Sequence, residues 1–156
     1  MESSLPTLDE AGLRRFQLLQ PDAVSAVTER FYATHGSAYE RFGERGRQAC
    51  RDDLAFHLEF LRPVVEFGLI QPMVDYLLWL ESVLQARSIP AEHLGQSLEW
   101  LADFFGEHME GTQGAIVRSA LLIARERFRE AIDTSVSRAA PPEAWAEADV
   151  FEAALP

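Results

Sequence analysis

Apolar side chains recur at three- and four-residue intervals along most of this chain, and no stretch alternates apolar and polar residues as a half-buried strand requires. A sequence with that single period has only helices from which to build a core, so the expected fold class is all-α. Proline and glycine punctuate the pattern. Thr7 or Asp9 is placed to cap a short helix through Leu19, with Leu8, Leu13 and Phe16 inward. Gln20-Pro21-Asp22 reads as a break, and a second helix is predicted from Pro21 to His35-Gly36. A tighter segment, Ser37 to Gly46, leads into a central helix from about Arg45 to Phe67, with a bend expected at Pro63. Further helices are predicted from Pro72 to Ala86, from Ala91 to His108, and from Thr112 to about Thr134. The chain thus divides into one helical domain over residues 1–137 and a flexible acidic C-terminal tail over 138–156, where Trp145, Val150, Phe151 and Leu155 could dock on something.

Charge and composition narrow the function. Of 156 residues, 25 are acidic and 14 basic, a net charge of −11 that disfavours nucleic acid or an anionic membrane as partner. Every basic residue is arginine, so Schiff-base and lysine-nucleophile chemistry are excluded. The lone Cys50 rules out an intrachain disulfide and fits a reducing, cytoplasmic setting. No leader pattern follows Met1, and no apolar run has the length of a membrane span. No nucleophile–base set, phosphate loop or metal-spaced carboxylate pair is visible, so no catalytic residues are expected and an enzyme is not.

The chemistry concentrates in the stretch Ala49 to Leu61. On a helix, Cys50, Leu54, His57 and Leu61 share one stripe and Asp53 lies on its edge. Two turns separate the thiol from the imidazole, about 10 Å along the axis, a span that one large flat ligand covers and a small substrate does not. Arg41, Arg45, Arg47 and Arg51 crowd the start of this helix, where its dipole favours anions. They either pair with Glu40, Glu44 and Asp52 or await a negatively charged ligand group. Phe56, Phe60, Tyr76, Trp79, Trp100 and Phe104 are candidates to line an apolar slot, or plain core. A lone histidine on an apolar stripe is by default a neutral core residue, and a lone buried cysteine a small hydrophobe.

From Phe31 to Ile132 the chain resembles the phycobiliproteins, the light-harvesting relatives of globins. Cys50-Arg51-Asp52-Asp53 is similar to their Cys-x-Arg-Asp motif on the central helix. Gln71-Pro72-Met73-Val74-Asp75-Tyr76-Leu77 resembles their Gly-Pro-Met-Asp-Glu-Tyr-Leu-like segment, and Ile89-Pro90-Ala91-Glu92-His93 their later proline-led helix start. The motifs keep their order and distances. With Cys50 on the bilin-bearing cysteine, Asp53 takes the place of the aspartate that contacts the ring nitrogens; with Arg51-Asp52 matched instead, Ala49 takes the cysteine's place.

The resemblance implies a globin-like, phycobiliprotein-like helical domain that binds a tetrapyrrole, and a homodimer. The segment matching the usual proximal-histidine helix of globins, Gln71 to Arg87, contains no histidine. The leading expectation is therefore haem bound non-covalently, with His57 as the metal ligand from the central helix, and His93 as second candidate. Arg45, Arg47 and Arg51 would hold the propionates and Tyr76 would line the slot. Sensing, carriage or storage of haem, including in service of bilin metabolism, all satisfy this reading. The alternative is a linear tetrapyrrole (bilin) attached at Cys50 or held by Asp53. A ligand-free sensor or interaction domain, its slot filled by side chains, is the third.

Overall fold

The computed structural model describes residues 5–134, so the expected tail at 138–156 and its aromatic residues lie outside the described part. Five α-helices make up the described chain: α1, Glu10–Tyr39; α2, Gly43–Phe67; α3, Gln71–Gln85; α4, Ala91–His108; and α5, Gly111–Thr134. A single 3-10 turn, Glu40–Phe42, joins α1 to α2. The fold is all-α, and among the described residues no helix is long and apolar enough to cross a membrane.

The break expected at Pro21 does not occur, nor does the stop at Gly36: α1 runs through both. Proline inside a helix costs about 3 kcal/mol through a lost backbone bond and a ring clash. Against that, Phe16, Leu19, Ala23 and Val27 form one buried stripe that passes under the exposed Pro21 without a change of register. Burying a side chain of that size stabilises by roughly 1.5–3 kcal/mol, so the shared stripe outweighs the proline. Asp9 caps the helix, its carboxylate accepting from the Gly12 amide at 2.7 Å.

The remaining boundaries follow the punctuation closely. Gly68 ends α2 in a left-handed conformation, φ 76°, and its amide and that of Leu69 return to the carbonyls of Pro63 and Val64. Pro72 sits in the first turn of α3, and Pro90 immediately precedes α4. Gly43, φ 64°, turns the chain from the 3-10 segment into α2.

Helices α4 and α5 form the most extensive pair; α1 lies across α2 and α4, while α3 packs on α5 and α2. Their shared core includes Phe16, Leu58, Leu61, Met73, Leu77, Leu98, Leu101, Phe105, Leu121 and Phe128, each 0–1% exposed. Near the α4–α5 corner a Cβ on Gly114 would collide with the Met109 carbonyl, so only glycine allows that close approach. One pairing is slight: α2 and α4 make at most marginal contact with each other. The space between them holds the site.

Candidate functional site

The stripe expected on the central helix forms as read. Leu54, His57 and Leu61 are buried on α2, and Cys50 and Asp53 stand partly covered beside them. Cys50, Asp53, Leu54 and His57 line one cavity together with Ala49 and Gly46. Its other walls are Phe31 and Tyr39 from α1, Phe42 from the 3-10 turn, Leu80 and Leu84 from α3, Ile89 ahead of α4, and His93, Leu94 and Ser97 from α4. About 80 Å³ of room lies between these walls. That is less than the roughly 150 Å³ of an apolar cavity known to admit benzene, and well below the 300–1,000 Å³ of drug-sized ligand pockets. The cavity in this conformation suits a few waters; a larger ligand requires its walls to part.

His57 is the best-defined group in the wall. Its ring is 2% exposed, and burial lowers its pKa to about 3, so the imidazole is neutral at any physiological pH. Nδ1 is hydrogen-bonded to the Tyr76 hydroxyl at 2.7 Å. Tyr76 is itself held by a parallel stack on Phe60, ring centroids 4.2 Å apart and planes 7° from parallel. Tyr76 thus stands behind His57 rather than in the cavity wall. With Nδ1 engaged, Nε2 is the nitrogen left for a ligand.

The two neighbours of His57 on the stripe are both uncharged at neutral pH. Burial, followed by the nearby Asp52 charge, pushes the Asp53 carboxyl up to about 8. Its Oδ1 is enclosed and has no hydrogen-bond partner. Burial and then Asp53 push the Cys50 thiol up to about 12, so its sulfur is a protonated thiol rather than a nucleophilic thiolate.

Across the cavity, α4 brings a second imidazole. His93 Nδ1 is hydrogen-bonded to the Tyr39 hydroxyl at 2.7 Å, and its ring stacks on His35 with centroids 4.0 Å apart. His35 in turn donates from Nε2 to the Gln96 side-chain oxygen. Phe31 meets Tyr39, His93 and Trp100 edge-on, which fixes this aromatic group from the α1 side.

The arginines occupy other positions. Arg47 pairs with Glu29 at 3.3 Å and lies over the Tyr32 ring; Arg51 donates to Gln48 at 3.2 Å; Arg45 is exposed. Arg41 donates to the Arg87 carbonyl at 2.8 Å. None is among the cavity-lining residues. The aromatics expected to line a slot also lie elsewhere: Trp100 packs on Phe31 and His35, Phe104 on Phe105 and His108, and Phe60 on Tyr76. The aromatic walls are instead Phe31, Tyr39 and Phe42. Sequence reading passed over Tyr39, although its place one turn beyond His35 on the same helix face carries a signal.

Among the described residues no cluster of three or more His, Cys, Asp or Glu is arranged to hold a metal ion. Compared with family models, with curated proteins and with solved structures, the chain finds no match.

Proposed function

We propose that this protein binds a tetrapyrrole, and that it holds haem non-covalently with His57 Nε2 as an axial ligand. The observation that carries the reading is His57 itself: a neutral imidazole in a cavity wall, with Nδ1 fixed by a tyrosine that is fixed by a phenylalanine. Metal-binding histidines are typically oriented in this way through their other ring nitrogen. Neutrality matters because a protonated imidazole has no lone pair to give.

The donor fits; the width of the cavity demands movement. The backbones of α2 and α4 approach each other little, but α1 and α3 each pack on both, so admitting the ligand requires those shared interfaces to shift. Phe42, from the 3-10 turn ahead of α2, lines the cavity. On this reading Arg45, Arg47 and Arg51, which flank the cavity-lining Gly46 and Cys50 along α2, exchange Glu29, Gln48 and solvent for ligand propionates. When bound, haem supplies gas binding or electron exchange at its iron; the chain supplies the ligand nitrogen and a largely apolar enclosure. This reading keeps the likeness to globin relatives as its support for the ligand class.

A second reading, a bilin, draws on the enclosed, unpartnered Asp53 Oδ1. A linear tetrapyrrole offers pyrrole N–H donors to such an acceptor, whereas haem iron leaves none free. The raised Cys50 thiol makes unassisted attachment slow.

Adding haemin to the purified chain tests the first reading. An intense Soret band that saturates at one equivalent is expected, and His57→Ala should shift or remove it. An identical spectrum in His57→Ala, or no spectral change from free haemin, would contradict it. Biliverdin added in parallel separates the second reading, since its binding should depend on Asp53 and not on His57.

A further inference from the structure

We infer that His93 is the partition between the cavity beside His57 and a second, larger compartment, and that the cavity is entered from that compartment when the His93 ring turns aside. The inference concerns the route inward, and it stands whichever ligand the cavity takes.

The second compartment is a groove with about 790 Å³ of room, against about 80 Å³ inside. Ala91, Gly95 and Gln96 of α4, Arg129 and Ile132 of α5 and His35 of α1 border it. It falls within the roughly 300–1,000 Å³ of ligand pockets, so it can receive a molecule that the closed cavity cannot. Among the described residues, His93 alone lines both spaces.

The contacts of the His93 ring show the same division. Nδ1 is hydrogen-bonded at 2.7 Å to the hydroxyl of Tyr39, which lines the inner cavity. Its face stacks, with centroids 4.0 Å apart, on His35, which lines the groove. The ring therefore lies between an inner neighbour and an outer one. One side-chain hydrogen bond ties it to Tyr39, and water in the groove can replace that bond at small net loss. Phe31, another inner-cavity residue, stands edge-on to the ring with centroids 5.8 Å apart. Room to turn lies on the groove side, where His35 is itself tied only to the side chain of Gln96 on the same groove wall.

Cys50, the lone thiol of the chain, lines the inner cavity and reports access to it. Its labelling by methyl methanethiosulfonate is followed by mass spectrometry on the full-length protein. His93→Ala removes the partition and should speed labelling about tenfold or more, since modification of an enclosed group follows the population of the open form. Tyr39→Phe, which only releases the ring, should give an intermediate rate. Adding Ala91→Trp to His93→Ala fills the groove and should bring the rate back towards wild type. Were His93→Ala acting by loosening the fold, the second substitution would not slow labelling, and urea unfolding of each variant measures that contribution separately. An unchanged rate in His93→Ala, or a faster rate that Ala91→Trp leaves as it is, overturns the partition. Neither result bears on His57 as a ligand, which the haemin spectrum tests.

Discussion

Acid titration of the ligand-free protein exposes the environment of the cavity through two groups that pull in opposite directions. His57 has its pKa lowered from 6.5 to about 3 by burial. Between those values the unfolded chain binds a proton that the native state refuses. Stability therefore falls as pH drops below 6.5, by about 1.4 kcal/mol per pH unit, or roughly 3 kcal/mol by pH 4. Asp53 runs the other way, its pKa raised from 3.8 to about 8. Here the native state keeps a proton that the unfolded chain loses, so stability is present at low pH and is lost as pH rises towards 8. Between pH 6.5 and 4 the two slopes nearly cancel; above 6.5 Asp53 acts alone and costs about 2 kcal/mol.

Asp53→Asn removes one arm of this balance. Urea unfolding of wild type and variant, measured every half unit from pH 8 to 4, gives a difference profile in which the other carboxylates drop out. Wild type should gain roughly 4 kcal/mol relative to Asp53→Asn between pH 7 and 4. The variant, with His57 unopposed, should lose about 3 kcal/mol over the same range. His57→Leu should show the reverse slope. A difference profile that stays flat within about 1 kcal/mol would mean that Asp53 is solvated, and the enclosed carboxyl would be refuted.

Tyr76→Phe leaves the buried His57 Nδ1 without its partner and should cost about 1–3 kcal/mol in the same urea assay, while weakening haemin binding. Phe105→Ala removes a fully buried ring that packs on both Phe16 and Phe104 and should cost about 3–5 kcal/mol, read as an earlier unfolding midpoint. Gly114→Ala drives a methyl into the Met109 carbonyl and should destabilise by about 1–3 kcal/mol, whereas Gly36→Ala, which meets nothing within 4 Å in the last turn of α1, should be neutral or stabilising by calorimetry.

What the sequence disclosed follows from how local each signal is. The ends of α2, α3 and α4 were legible because Gly68, Pro72 and Pro90 act within a turn of themselves. Pro21 and Gly36 carry signals of the same kind, yet α1 ignores them, because its buried residues continue past both, from Phe16 through Phe31 to Tyr39, on a helix packed against α2 and α4. The near wall of the site was legible for the first reason: Cys50, Asp53 and His57 share a period on one helix. The far wall was not. Tyr39 and His93 meet across 54 positions, and only the packing of α1 on α4 brings them together. The arginines misled in part because a charge cluster does not disclose its partners, and Arg47 found Glu29 and Tyr32 on α1. Room in a cavity is legible least of all, since it is what remains after every side chain has packed.

The claim on which the rest depends is that His57 presents Nε2, through a fixed neutral ring, to a metallated tetrapyrrole. Histidine-ring nitrogen NMR of the chain, alone and with zinc protoporphyrin, tests it directly. The account predicts a His57 ring protonated at Nδ1 towards Tyr76, whose Nε2 resonance moves when the zinc compound is added. A complex that forms with the His57 Nε2 resonance unmoved would contradict it.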